Sequence, residues 1–396
     1  MRLLFLLNGL VPPLQDPGRD RFHFLSEIAG GEVLLPVWWA AASDAPAFLR
    51  RDFPRHRVGR FCYHLHLSYR WPKRLRGLAR FCFYLSQGWR LHRGQAFDGI
   101  VAYGTNTVGV AAMVLKWLTG AKLMVEVPGV PEDAFYFDRP HAGRGAALKR
   151  ALADGLLNLV GGRADCMKLL YPTQLQRYRK LSARPAAVFH DFVAVSLIRE
   201  VAAEEHFVLS VGHPWYTKGM DILIQAFRAV TPQFPACRLK LLGYFPDRQA
   251  LEALAAGCGQ IEFLEARPNQ AALEVMGACS VYVLASRTEA MGRVLLEAMA
   301  AHKPIVAAAV GGVPFYITDQ ENGLLYPADS ARDLSARLAA VLGDAELRQR
   351  LADRAQERVR VQYDERAYVA AFQRMLELTL GGAGRPPAAA GRSEGA

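Results

Sequence analysis

The 396-residue sequence predicts an α/β protein of two Rossmann-like domains facing a central cleft. Three observations predict it. Short apolar runs alternate with stretches of helical spacing in both halves. A segment over 191–205 breaks that alternation and reads as a hinge. A content of 52% hydrophobic residues with mean hydropathy near zero supplies two cores of ordinary size.

In chain order, residues 3–7 read as a buried strand, 22–28 as a helix, 32–38 as a strand and 72–93 as a helical region. Then follow a strand at 99–101, a helix over 107–118, a strand at 122–125, a helix over 146–160 and a strand at 166–170. The second half begins with a strand over 207–211 closed by Gly212, a polar loop to Lys218-Gly219 and an amphipathic helix over 220–230. Strands at 261–264 and 282–284 come next, then a helix over 294–301. Residues 303–314 form a short strand ending in a glycine turn, and 322–327 a further turn and strand. Such sheets bind ligands outside the carboxyl ends of their strands, so two of them facing each other make a cleft. Residues 368–380 are amphipathic. From 381 to 396, Gly, Ala, Pro and Ser dominate without apolar period, the mark of a disordered tail. The expected units are 1–195, 196–363, a closing helix at 364–380 and the tail.

One segment carries most of the functional information. Ser286 to Ala300 sets two carboxylates, Glu289 and Glu297, eight residues apart across a loop that runs into a helix. Gly292 falls at the strand-to-helix turn. A helix starting there offers unpaired N–H groups and partial positive charge to a phosphate. The carboxylates, as acceptors, suit hydroxyls instead. A nucleoside-diphosphate sugar has both kinds of group. The alternative is a solvated helix residue at Glu297 and a capping carboxylate at Glu289.

The surroundings sharpen this. Lys218-Gly219-x-Asp221-x-Leu223-Ile224-x-Ala226-Phe227, then Glu289-x7-Glu297-Ala298-Met299-Ala300, the Gly311-Gly312 turn and Asn322-Gly323-Leu324-Leu325 stand in that order. This combination resembles the nucleotide-binding domain of the retaining family-4 glycosyltransferases, whose two-domain architecture is called GT-B. The matching features span 210–327, with weaker likeness over the rest apart from the tail. The resemblance implies that Glu297 binds ribose hydroxyls, Glu289 meets the donor sugar and Lys218 holds the diphosphate. It also implies that N–H groups of Ala290, Met291 and Gly292 approach phosphate and sugar, and that the base lies near Ala266 and Arg267. The reaction it implies moves a sugar to a glycan or lipid-linked acceptor in envelope or exopolysaccharide synthesis, with retention. The final helix returns to the amino domain in that family.

Departures stand beside the likeness. His213 follows Gly212 where the family has an arginine on the diphosphate, which predicts a weaker or pH-dependent grip. Phe315 stands where a glutamate is common. The amino-domain histidine has no counterpart in Val125 to Gly129, where Glu126 is the only ionisable side chain before Glu132. Gly9 and Glu126 are the acceptor-side candidates. Two rivals share the donor site: a nucleotide-sugar epimerase, which would isomerise the donor alone, and a non-catalytic binding relative.

Composition excludes other classes. No two aspartates stand two apart, so no bridging metal and no cofactor are expected, and leaving-group charge falls to Lys218 and main-chain donors. The six cysteines are scattered without a metal or disulfide spacing. His64 and His66 show no third ligand in sequence. Residues 8–13 carry no Gly-x-Gly-x-x-Gly turn, against a dinucleotide oxidoreductase. Two carboxylates issuing from one turn and helix oppose each other poorly across a glycosidic bond, against a hydrolase. No apolar run approaches the roughly 20 residues that span a bilayer, and residues 3–7 read as a strand rather than a signal peptide.

The formal charge is +11. Between 51 and 93, eleven basic residues interleaved with aromatics face only Asp52. That pattern suits an anionic membrane surface, so peripheral attachment at the inner face of the plasma membrane is expected, while the scattered thiols fit a reducing cytoplasm. The competing reading puts the aromatics in the core and the arginines in solvent. No nucleic-acid motif accompanies the charge.

Overall fold

The computed structural model describes residues 1–8, 20–37, 56–68, 71–129, 144–199, 205–245 and 248–381. Gly9, the loop over 9–19 and the tail from 382 lie outside the described residues, as do 130–143 and 200–204.

The amino-terminal sheet contains β1 (Arg2–Leu6), β2 (Gly30–Val37), β3 (His56–Val58), β4 (Phe61–Leu67), β5 (Gly99–Tyr103), β6 (Lys122–Glu126), β7 (Cys166–Leu169) and β8 (Ala186–Val188). Their spatial order is β3-β4-β2-β1-β5-β6-β7-β8, parallel throughout except for the β3–β4 hairpin. The second sheet has β9 (Phe207–Val211), β10 (Arg238–Gly243), β11 (Ile261–Glu265), β12 (Val281–Leu284), β13 (Ile305–Ala308) and β14 (Leu324–Tyr326). Its all-parallel order, β11-β10-β9-β12-β13-β14, is the doubly wound 3-2-1-4-5-6 arrangement. The expected two Rossmann-like domains are therefore present.

Both sheets are covered on both faces, which explains their continuously apolar strands. In β1, Leu4 and Leu6 point to helices α2 (Arg76–Gly94), α3 (Thr107–Thr119) and α4 (Arg144–Gly161). Leu3 and Phe5 point the other way, to α1 (Arg21–Leu25) and α13 (Glu365–Leu380). Helix α13 starts at Asp364, which accepts from Ala367 N–H at 2.8 Å. It then buries Tyr368, Phe372, Met375 and Leu376 against the amino-terminal sheet, with Phe372 stacked on Phe5 at 5.9 Å. Each such side chain stabilises by roughly 1.5–3 kcal/mol.

In the second domain, α6 (Met220–Val230) buries Leu223, Phe227 and Val230 on the face it shares with α11 (Ala331–Gly343). The opposite face carries α8 (Asn269–Ala278), α9 (Arg293–Ala300) and α12 (Ala345–Gln362). Short α5 (Arg179–Ser182), α7 (Arg248–Ala255) and α10 (Val313–Tyr316) complete the order.

The β3–β4 hairpin is not among the elements expected from sequence. In β4, Phe61, Tyr63 and Leu65 face α13 while Cys62, His64 and His66 alternate with them, so its apolar half is masked by polar neighbours. Strands β8 and β10 are likewise additional. Helix α1 stops at Leu25, short of the expected 28, and the chain turns from Ser26 to Ile28.

The domains meet along a packed seam. Leu170 and Tyr171, just past β7, join the core of the second domain. Tyr316 Oη donates to the Leu170 carbonyl at 2.7 Å, and Tyr171 stacks on Phe315 at 5.6 Å.

Candidate active site at the domain seam

Two loops of the second domain build the site. The first leaves β9 at Gly212 and reaches α6 through Lys218-Gly219. Gly219 has φ +61°, and a Cβ there would sit 1.9 Å from the Ala285 carbonyl oxygen, so only glycine lets this loop lie against the next one. The second loop leaves β12 and enters α9 at Gly292, which caps the helix with φ 72°. Arg287 rivets the two together. Its guanidinium donates to both oxygens of Asp221 at 2.8 and 2.7 Å, pairs with Asp329 at 2.7 Å and stacks 3.9 Å over the Tyr216 ring. Burial opposes the charge of this guanidinium, but its carboxylate partners raise its pKa further.

The rivet brings the first pair of site residues into contact. Lys218 Nζ donates to Glu289 Oε2 at 2.5 Å, and Ser286 Oγ donates to the same oxygen at 3.1 Å. Beneath them the Gly311-Gly312 turn carries the Glu289 backbone: Gly312 N–H donates to the Glu289 carbonyl at 3.2 Å. A Cβ on Gly311 or Gly312 would stand 1.8 Å from the Glu289 oxygen or 1.9 Å from that of Ala290. The glycine turn is thus the seat of the loop.

Glu297 is the fifth residue of α9 and only 9% exposed. Asn269 Nδ2, at the start of α8, donates to its Oε1 at 3.4 Å. It is therefore no solvated helix residue, and Asn269 links it to the β11–α8 loop where Ala266 and Arg267 stand exposed. Tyr282 lies buried in β12; burial, then Glu289 and Glu297, push its phenol well above the ordinary range, so it stays protonated near both carboxylates. His213 Nδ1–H donates to the Tyr244 carbonyl at 2.8 Å, its ring beside that of Tyr244. Ala290, Met291 and Gly292 follow Glu289 directly, and the last two are buried.

Across the seam the amino domain presents a buried ion cluster. Arg21 Nη1 donates to both oxygens of Glu126, each at 3.0 Å. Lys168 Nζ lies 3.7 Å from Glu126 and hydrogen-bonds Asp191. Burial disfavours the charges of Asp191, Lys168 and Arg21, yet attraction within the cluster wins: Asp191 is held below, and Lys168 and Arg21 above, their ordinary pKa values. Glu126, the acceptor-side candidate, is 1% exposed and engaged in this cluster rather than open to a ligand. The cluster reaches the β12–α9 loop. Asp191 N–H points at Met291 Sδ at 3.1 Å, the Asp191 carboxylate feels Arg293, and a Cβ on Gly129 would stand 3.6 Å from Ala290 Cβ.

His190 completes the cluster. Burial, then the neighbouring Lys168, lower its pKa from 6.5 to about 4. Between pH 4 and 6.5 the unfolded chain binds this proton and the native one does not, so the stability it contributes is lost as pH falls. We predict that going from pH 7 to 5 costs about 2 kcal/mol from this group, read as a fall in Tm that His190→Gln makes shallower; equal slopes in both proteins would refute it.

Residues 198–358 match the family profile described as glycosyl transferases group 1. The chain carries a group 1 glycosyl transferase domain. An uncharacterized glycosyltransferase of Methanocaldococcus jannaschii is 32% identical over 154 residues, 38% of this chain and 42% of that protein. A lipopolysaccharide core biosynthesis glycosyltransferase of Rhizobium meliloti is 29% identical over 184 residues, 45% of this chain and 51% of its own. The chain thus spans about half, or less, of the length of these relatives. Over the whole fold, sucrose-phosphate synthase from Thermosynechococcus elongatus superposes with TM-score 0.77 at 17% identity, covering 95% of this chain and 98% of the other. Anabaena HepE in complex with UDP-glucose gives TM-score 0.68 at 18% identity over 95% and 98%. The glycosyl transferase domain and the amino-terminal domain together have the GT-B fold.

The sequence pattern points to the residues of the two loops that leave β9 and β12 but to neither Arg287 nor Asn269; it marks Tyr282 only as a strand residue, and of the Arg21–Glu126–Lys168–Asp191 cluster it marks Glu126 alone. An arginine beside Thr288-Glu289 is the one local signal of a rivet.

Proposed function

We propose that this chain transfers a sugar from a nucleoside-diphosphate sugar to a glycan or lipid-linked acceptor, with retention, in envelope or exopolysaccharide synthesis. The observation that carries it is the Lys218–Glu289 pair at the carboxyl ends of β9 and β12, beside the start of α9, with buried Glu297 one turn on. In this reading Lys218 and the N–H groups of Ala290, Met291 and Gly292 take the diphosphate. Glu297 accepts from the ribose, Glu289 from the sugar, and the base rests near Ala266 and Arg267. That HepE is known in complex with UDP and with UDP-glucose supports a nucleotide sugar as donor.

As the sugar–phosphate bond breaks, negative charge grows on the diphosphate. Lys218 and the helix start stabilise it in place of a divalent ion, and His213 adds charge only when protonated. The leaving phosphate then assists removal of the acceptor proton on the same face. The acceptor is proposed to enter from the amino-domain side of the seam, near the carboxyl end of β6, where Glu126 itself is taken up by Arg21 and Lys168. The test is release of nucleoside diphosphate from a panel of uridine and guanosine diphosphate sugars, expected to rise with acceptor; isomerisation of the donor alone, or no turnover with any, contradicts the reading.

A second partner, an anionic membrane, is proposed from α2. Phe81, Phe83 and Tyr84 pack inward, but Leu75, Leu78, Cys82 and Trp89 recur at helical spacing on its exposed side, with Leu78 61% exposed and Trp71 just before them. Exposed Lys73, Arg74, Arg90 and Arg93 accompany them, each contributing about 1 kcal/mol at an anionic surface. Among the described residues no helix is long and apolar enough to cross a membrane. The attachment proposed is peripheral, at the inner face of the plasma membrane. The protein is expected to float with phosphatidylglycerol vesicles and not with phosphatidylcholine ones, and Leu78→Glu to remain in solution; flotation by neither lipid removes this partner.

A further inference from the structure

The parallel register of β2 and β4 sets Glu32 opposite Cys62, with His64 two residues further along the same face. One ligand atom from each lies within 4.8 Å of the others. We propose that Glu32, Cys62 and His64 form a site for a divalent transition-metal ion of the zinc class, near the amino-terminal ends of these strands and separate from the donor loops.

The donor set selects the ion. One thiolate, one imidazole and one carboxylate match the soft-to-borderline preference of zinc-class ions, whereas magnesium and calcium require oxygen throughout. Bonds of about 2.0–2.3 Å to a tetrahedral ion put the donors roughly 3–4 Å apart, within the span seen here. Three protein ligands leave the fourth position to water.

The outer partners fit as well. Arg2 Nη2 donates to Glu32 Oε1 at 2.9 Å, leaving Oε2 facing His64 Nε2 at 2.7 Å. Arg2 is itself fixed, with its N–H on Asp98 at 2.7 Å and its guanidinium 4.1 Å over the Phe97 ring. A carboxylate ligand oriented through its second oxygen is a common outer-shell arrangement. Binding replaces the Glu32–His64 hydrogen bond and releases the Cys62 thiol proton, so affinity rises with pH. The ion would tie β4 to β2 at the β3–β4 side of the sheet. Glu32 stands 32 residues upstream of His64 on a neighbouring strand, which is why the two histidines of β4 lack a third ligand in sequence.

The rival reading is a hydrogen-bonded Glu–His pair with an adjacent thiol. Cobalt(II) distinguishes them, because a thiolate bound to cobalt gives a near-ultraviolet charge-transfer band. The metal-free full chain should take up one equivalent with that band, and zinc should displace it. Cys62→Ser should abolish the band, and His64→Gln, which removes a ligand, should weaken binding at least as much as the roughly 10- to 100-fold that loss of an outer partner costs, while Cys82→Ser and His66→Gln bind as the parent does. Circular dichroism checks that each variant is folded. No band at stoichiometric cobalt, or a band that persists in Cys62→Ser, overturns the proposal.

Discussion

Lys218→Ala is expected to lower kcat for sugar transfer by about 100- to 1,000-fold, the usual cost of removing one group that stabilises developing negative charge. Stability should move little, because the lysine sits in a loop held by Arg287, Gly219 and the Gly311-Gly312 turn, none of which depends on its ammonium group. Glu289→Ala should cost transfer similarly, since the sugar loses its acceptor and Lys218 its partner. Glu289→Gln, which keeps the shape and the bond to Ser286, should recover part of the sugar affinity but not the full rate. Steady-state rates of nucleoside diphosphate release, with Tm as the folding control, check both. Unchanged turnover in either alanine variant would remove these residues from the reaction.

Lys168→Met should destabilise the protein by about 3–5 kcal/mol, because it strands Asp191 as a buried carboxylate without its cation and leaves Glu126 to Arg21 alone. The double change Lys168→Met with Asp191→Asn should recover a substantial part. By contrast, loss of the exposed Arg248–Glu252 pair should cost no more than about 0.5 kcal/mol. Urea unfolding midpoints separate these cases. A cost near that of the surface pair would mean that the cluster is wet and does not hold the seam together. The cluster also carries function indirectly: the backbone of Asp191 meets Met291, so loosening it should raise the donor KM before it changes kcat.

What could be read from the chain tracks how local each feature is. The β9–α6 and β12–α9 loops each lie within about a dozen residues, strand to helix, and their turn glycines, lysine and carboxylates are visible as spacing. Arg287 finds Asp221 only once β9 and β12 are neighbours, 66 residues apart in sequence. Tyr282 looked like any buried strand residue, since nothing in Tyr282-Val283-Leu284 tells a core phenol from one near two acids. The ion cluster collects Arg21 from α1, Glu126 from β6, Lys168 from β7 and Asp191 from the segment after β8, and only the fold brings them together. For β4, alternation of apolar and histidine positions concealed a strand inside a segment dominated by its charge. The aromatics of 71–93 proved to be of both kinds, inward at Phe83 and Tyr84 and outward at Trp71 and Trp89.

The central claim is that Lys218, Glu289 and Glu297 hold one activated sugar, with the ribose on Glu297. Calorimetric titration of uridine and guanosine diphosphates against their 2′,3′-dideoxy forms addresses it most directly. The parent protein should prefer the ribonucleotide of the accepted base by about 10- to 100-fold, the value of a hydrogen bond to a charged acceptor, and Glu297→Gln should lose most of that preference. A parent that binds both forms equally, or a Glu297→Gln variant that discriminates as well as the parent, would contradict the account.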